Sequence, residues 1–265
     1  MNKKHNAFDC VFGGVRKPAF TLAEGASHGD VFDGVWHLGF TLAEVLITLG
    51  IIGVVAAMTL PTFINKTQDR INRNRLKREY SLYQQAFNKI IAENDIDFRN
   101  AIMECVSNNS SGHKCIKDSF KAKMKVVADC DSNSGQNSGK CFVPQAKARQ
   151  LNGKIVSQNA GYFNNDQTSG FVLDDGSSVA FWLDDKNCGM NYGQLRCGWF
   201  VVDVNGANGN PNQWGKDLFL FFITPTRIMP ADSKFTDNAN NNGFVDDCEV
   251  GTNYGLTCAS KYLYK

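Results

Sequence analysis

From Phe40 to Leu60 the chain reads FTLAEVLITLGIIGVVAAMTL, 21 residues in which Glu44 is the single charge. A helix of that length spans roughly 31 Å, which is enough to cross a bilayer core. A buried core helix is the other reading. Length and the β-branched, glycine-tolerant composition favour lipid. Beyond Pro61 the pattern changes period. Ile71, Leu76, Tyr80, Tyr83, Phe87, Ile90 and Ile91 recur near the three-four spacing of one helical face, with charge on the opposite face. The spacing predicts that residues 61–94 continue the same helix and lay an apolar stripe on a folded domain.

Residues from about 100 to 160 are polar, with Ser, Asn and Gly concentrated in Asn108–Gly112 and Asp131–Lys140, and read as loops and short elements. From about 170 the pattern alternates as in strands. Phe171–Leu173 and Val179–Trp182 flank Asp174-Asp175-Gly176-Ser177, a hairpin with an Asp-Gly turn. Gly198–Val204 and Asp217–Ile223 read as further strands. The expected fold is α+β: a long N-terminal helix, membrane-spanning in its first half, packed on a C-terminal antiparallel sheet of at least four strands.

The start of the apolar run carries a signature. Gly39-Phe40-Thr41-Leu42-Ala43-Glu44 followed by a spanning helix resembles the processing site of type IV prepilins and type II secretion pseudopilins. The resemblance is strong over residues 39–65. It implies that residues 1–39 are a leader removed by prepilin peptidase after Gly39, that the new amino group of Phe40 is methylated, and that Pro61 bends the helix. It also implies that the Glu44 carboxylate pairs in the bilayer with the Phe40 ammonium of a neighbouring subunit, two charges that are each costly in lipid. Taken alone, Glu44 could equally snorkel to the interface. FTLAE occurs twice, at Phe20–Glu24 and Phe40–Glu44. Ala19 replaces the glycine in the upstream copy and Gly25–Asp30 cannot continue a membrane helix, so that copy reads as a duplicated remnant. The run Asp203-Val204-Asn205-Gly206, a Pro-Asn turn and Trp214-Gly215-Lys216-Asp217 looks like the sheet region of pseudopilin-like proteins.

Cysteine usage adds the compartment. Cys105, Cys115, Cys130, Cys141, Cys188, Cys197, Cys248 and Cys258 fall in sequence into four pairs, with no CxxC and no adjacent histidine, while Cys10 stands apart in the leader. Zinc is a poor fit and disulfides in an oxidising compartment a good one. If neighbours pair, each short loop is stabilised by roughly 2.5–3 kcal/mol in the chain-entropy model, but about 105 connectivities are open in principle. The basic cluster Lys66, Arg70, Arg73, Arg75, Lys77 and Arg78 would by the positive-inside rule hold the large domain in the cytoplasm. The cysteines and the prepilin-like motif outweigh it, and the expectation is an inner-membrane, single-pass protein with residues 95–265 periplasmic or extracellular.

The net charge of +2 gives no indication of nucleic-acid binding. Without its leader the chain keeps one histidine, His113, so a histidine-based triad is not available. No Walker A loop, GxGxxG or HExxH occurs. Adjacent acids such as Asp174/Asp175 and Asp184/Asp185 fit solvated turns better than glycosidase chemistry, and no enzymatic activity and no cofactor are expected. Two loops offer oxygen ligands for calcium: Asp203, Asn205 and Asp217 in one, Asp237, Asp246 and Asp247 in the other. Turns braced by Asx hydrogen bonds are the competing reading. The function expected is a structural subunit, of the minor kind, in a type IV pilus or type II secretion pseudopilus. Its partners would be other pilin-like subunits, prepilin peptidase, the inner-membrane assembly machinery and membrane lipid. The alternative is a single-pass, membrane-anchored extracytoplasmic binding protein that forms no fibre.

Overall fold

The computed structural model describes residues 40–107, 109–131, 141–156, 168–191, 195–232, 248 and 254–264. Residues 1–39, Gly39 and Cys10 included, lie outside the described residues, as do Asp237, Asp246 and Asp247. The chain divides into a unit ending at Gly53 and a unit running from Val54 onward. Helix α1 (Leu42–Ala92) is followed by a single turn α2 (Phe98–Ala101), helix α3 (Ser110–Lys121) and strand β1 (Val126–Cys130). Then come β2 (Ser169–Leu173), β3 (Ser178–Leu183), the short ribbon β4 (Met190–Asn191) and β5 (Leu195–Arg196), and β6 (Gly198–Asp203). β7 (Leu218–Ile223), β8 (Ile228–Pro230) and the terminal helix α4 (Cys258–Tyr264) complete the order.

Six strands form one antiparallel sheet in the order β1-β2-β3-β6-β7-β8. The Asp-Gly turn does join β2 to β3: Gly176 has a φ of 86°, and Leu173 N–H donates to Ser177 O at 2.9 Å. With the long apolar helix packed on it, the sheet gives an α+β, pilin-like architecture.

The helix meets the sheet through the stripe Asn72, Leu76, Glu79, Tyr83, Ala86, Phe87 and Ile90. Ile71, expected in that stripe, is instead exposed. Aromatic rings from helix and sheet interlock, since one aromatic buries more area than any aliphatic side chain. Tyr83 lies 5.0 Å from Phe200, Phe120 lies 5.0 Å from Phe181, and Phe200 stacks on Phe221 at 5.1 Å. The opposite sheet face is also covered. Ala180, Trp182, Val201, Leu220 and Phe222 pack with Phe142, Val143, Ala148, Val156 and Trp214. Burial on both faces explains why β7 reads as an unbroken apolar run, LFLFFI, instead of an alternation.

Helix α3 and strand β1 occupy a segment whose polarity reads as loops. Asn109 caps α3 by accepting from Gly112 N–H at 2.8 Å, and Ile116 and Phe120 enter the core one turn apart. Buried Lys117 ties α3 to β1 through Asp129 at 2.6 Å. Four disulfides join sequence neighbours: Cys105–Cys115, Cys130–Cys141, Cys188–Cys197 and Cys248–Cys258.

Glu79 is the polar intruder in the helix stripe, 1% exposed. Burial, reinforced by the neighbouring Asp175 carboxylate, pushes its pKa up to about 8. Ionised, its carboxylate has only the Ser177 hydroxyl and the Arg78 charge to set against burial and the Asp175 carboxylate. Protonated, it donates to Asp175. Burial by itself would raise Asp175 as well, but hydrogen bonds from Glu79 and Ser177 and the Arg78 charge hold it below its usual value. Between 4.5 and about 8 the folded chain therefore binds a proton at Glu79 that the unfolded chain has released. Stability on this account falls as pH rises through that window. Thermal unfolding of Glu79→Gln, which keeps shape and donor but cannot ionise, is expected to show a flatter pH profile and a higher midpoint than the native chain above pH 8. An unchanged profile would remove Glu79 as the titrating group.

Candidate functional site

α1 begins at Leu42, and its N-terminus is closed by two residues of the prepilin-like motif. Thr41 N–H and Thr41 Oγ1 donate to Glu44 Oε2 at 2.8 and 2.9 Å, and Glu44 N–H donates to Thr41 Oγ1 at 3.2 Å. That is a reciprocal capping box, T-x-x-E, in which each side chain satisfies a backbone donor that the first helical turn leaves open. The T-x-x-E spacing stands in Thr41-Leu42-Ala43-Glu44 itself, beside a charge that by resemblance points to a neighbouring subunit. Only one carboxylate oxygen is engaged by Thr41.

Along the rest of the apolar segment the side chains are exposed, apart from half-buried Ala56. Leu46, Ile47, Leu49, Ile51, Ile52 and Met58 are all exposed, as are Phe63 and Ile64 beyond Pro61. α1 is the one described helix long and apolar enough to cross a membrane. Its hydroxyls are internally satisfied: Thr48 donates to Val45 O at 3.0 Å and Thr59 to Val55 O at 2.9 Å. That leaves Glu44 as the segment's single ionisable group. Pro61 lies within α1, where it removes one backbone donor while the helix runs on to Ala92. Of the basic residues that follow, Arg73 lies over the Tyr262 ring at 4.1 Å and Arg78 pairs with Asp175 at 2.8 Å. Part of that cluster thus serves to hold α1 to the folded unit.

The adjacent acids are likewise committed to structure. Asp184 holds Arg196 at 2.7 Å and accepts from Trp199 Nε1 at 3.2 Å, and Asp185 caps Asn187 and Gly189 N–H. His113 accepts from Leu183 N–H at 2.9 Å, and its burial lowers its pKa to about 4. It is a neutral, satisfied core histidine.

The β6–β7 loop brings Asp203, Asn205 and Asp217 together. Asp203 closes β6, opposite Ser178 and Leu218, and Val204 N–H donates to Asp217 O at 2.9 Å. Gly206, with a φ of 79°, approaches the β2–β3 turn so closely that a Cβ there would meet Gly176 O at 2.3 Å. The Asp217 carboxylate is the hub. It accepts from Gln213 N–H at 2.6 Å, from Asn212 N–H at 2.7 Å and from Asn205 Nδ2 at 3.2 Å. Burial pushes both carboxyls up: Asp203 strongly, with the Asp217 charge adding to it, and Asp217 less because its hydrogen bonds favour the ionised form. Asn212, not anticipated from sequence, belongs to the same cluster. Among the described residues no three His, Cys, Asp or Glu side chains converge as a metal-binding group.

Removing the hub strands several buried donors at once. In calcium-free buffer, Asp217→Ala is expected to cost about 3 kcal/mol of unfolding free energy by denaturant titration. A loss within the experimental scatter of an ordinary surface substitution would show that the Asx-type bracing is dispensable. No protein-family model matches the chain, and no curated protein and no solved structure is significantly similar to it.

Proposed function

We propose that this chain is a structural, non-enzymatic subunit, of the minor kind, of a type IV pilus or a type II secretion pseudopilus. It is cut by prepilin peptidase between Gly39 and Phe40, methylated on Phe40, and assembled through α1 from the inner membrane, with its folded unit on the extracytoplasmic side. The observation that carries this reading is the apolar half of α1, exposed from Leu42 to Ile64 at every residue but half-buried Ala56, opening on the motif residues Phe40 and Glu44. Such a surface is stable only in lipid or against other helices of the same kind. The four disulfides support an oxidising compartment.

One observation favours the second reading, a single-pass anchored binding protein. The Glu44 carboxylate has a partner in its own chain, Thr41, so it does not depend on a neighbouring ammonium to be hydrogen-bonded. Mass measurement of the mature N-terminus in cells containing prepilin peptidase separates the two. Chains beginning at methylated Phe40 are expected, and chains still beginning at Met1 would overturn the fibre reading.

The role of Glu44 is separable from its capping role by substitution. Glu44→Gln retains an acceptor for Thr41 N–H and Oγ1 but carries no charge, whereas Glu44→Ala removes both. Both variants are expected to insert in the membrane and to be lost from fibres. If the Gln variant assembles normally, charge pairing between subunits is excluded and capping alone is what assembly needs.

A further inference from the structure

Between the apolar half of α1 and its packed half lies a bare stretch of helix. Ile64 closes the exposed apolar run, and Asn72 is the first residue of α1 to be buried. Residues 65–71 are exposed, except half-buried Gln68 and Asp69. At 1.5 Å per residue, Asn72 stands about 12 Å beyond Ile64 along the helix. The headgroup layer of one leaflet is roughly 5–7 Å deep. A helix that leaves hydrocarbon near Ile64 therefore crosses that whole layer before the folded unit begins.

Positive charge is concentrated in and just beyond this stretch. Lys66, Arg70, Arg73, Arg75, Lys77 and Arg78 stand against the single acid Asp69 among residues 65–78. Lys66, Arg70, Arg73 and Lys77 recur at i, i+4, i+7 and i+11, so they share one helical face. Arg73 and Arg78 are engaged by the folded unit, over the Tyr262 ring and with Asp175. Lys66, Arg70, Arg75 and Lys77 are exposed and enter no ion pair among the described residues, with Asp69 or any other acid. Lys66 and Arg70 lie on the bare stretch itself, where nothing in the fold uses them.

The direction of the helix aims these side chains. Cα–Cβ bonds tilt toward a helix's N-terminus, so on α1 they lean back toward the apolar run. Lys66 and Arg70 rise about 3 and 9 Å beyond Ile64, and long side chains leaning back bring both charges into the phosphate layer. Arginine grips a phosphate with two parallel N–H donors, lysine as a point charge. A zwitterionic headgroup carries its own cation beside the phosphate, whereas an anionic headgroup leaves that charge to be met by the protein. Nucleic acid or an acidic face of a second copy would also meet the charge, but lipid is already in place where the apolar run ends. We propose that Lys66 and Arg70, backed by Arg73 and Lys77 on the same face, bind anionic phospholipid headgroups of the leaflet from which α1 emerges toward the folded unit. Such a leaflet supplies the cluster's counter-charge on whichever side of the membrane the folded unit lies. The inference rests on the apolar half of α1 lying in lipid, and it holds for a fibre subunit and for an anchored binding protein alike.

The test uses the full chain reconstituted in mixed phosphatidylcholine–phosphatidylglycerol vesicles at low salt. Ile64→Trp, at an exposed position, sets an indole at the exit point, and its emission is read above that of the native chain. Bromine on the acyl chains of one lipid or the other, at equal mole fraction, quenches the indole by contact. Brominated phosphatidylglycerol is expected to report a local enrichment of about fivefold, the weight of one basic residue at a charged surface. The preference should fall toward equality at high salt. In the same background, Lys66→Gln with Arg70→Gln keeps good helix formers on the bare stretch. It is expected to lose most of the preference while insertion and the thermal midpoint stay native. Equal quenching by the two lipids at low salt overturns the proposal. So does a preference unchanged in the double variant, which would place the anionic lipid elsewhere on the chain. Equal quenching together with self-association that the double variant abolishes would assign the basic residues to a second copy. No quenching by either lipid would put α1 outside the bilayer, and the membrane reading would fall along with the proposal.

Discussion

The burial of one helical stripe against an aromatic sheet face is the contact on which the folded unit is built. Leu76, Tyr83, Phe87 and Ile90 contribute the helical side, and Phe171, Phe181, Phe200 and Phe221 contribute the strand side. Six antiparallel strands need a cover, because a sheet face of that composition cannot stay in water. Helix α3 and the second half of α1 together are that cover. Since the same helix begins as an uncovered apolar segment, insertion and folding make opposite demands on one continuous element. The change from all-round apolarity to a single stripe, beyond Pro61, is where the sequence switches from one demand to the other.

Several polar groups inside this interface are held by pairing, while Tyr83 Oη and Asn72 Nδ2 are buried without a hydrogen-bond partner. Glu79 is held protonated by burial and by Asp175 at the β2–β3 turn, Lys117 is buried among aspartates, and His113 accepts from β3. These groups tie helices to strands where apolar contact alone would leave the angle between them loose. In the β6–β7 loop the unpartnered groups are all oxygens. Its hub carboxylate is fully served by backbone and amide donors, while oxygens on three neighbouring side chains are not.

The disulfides act at a different level. Each joins cysteines nine to eleven residues apart, so none links distant parts of the chain. They shorten local loops in the polar stretches, where few apolar side chains are available to hold a turn. Loop closure of this length removes unfolded-state freedom without dictating topology.

The apolar run from Phe40, the stripe from Leu76 to Ile90 and the Asp174–Ser177 turn were legible in the sequence because each rests on local spacing. Periodicity of 3.6 or 2 residues and a glycine at a positive φ need no knowledge of distant neighbours. Helix α3 was not legible, since Ile116 and Phe120 alone make a thin stripe and its place is fixed by the facing strands. The exposure of Ile71 and burial of Asn72 likewise depend on what the folded chain lays against α1. Which cysteines pair, that Glu44 caps its own helix, and that Asn212 joins Asp203, Asn205 and Asp217 were decided by tertiary structure. All three are questions of distance between atoms, and order along a chain does not contain distance. The sequence by itself determined which segments are apolar and with what period. Only the folded chain decided which polar atoms find a partner and which are left without one.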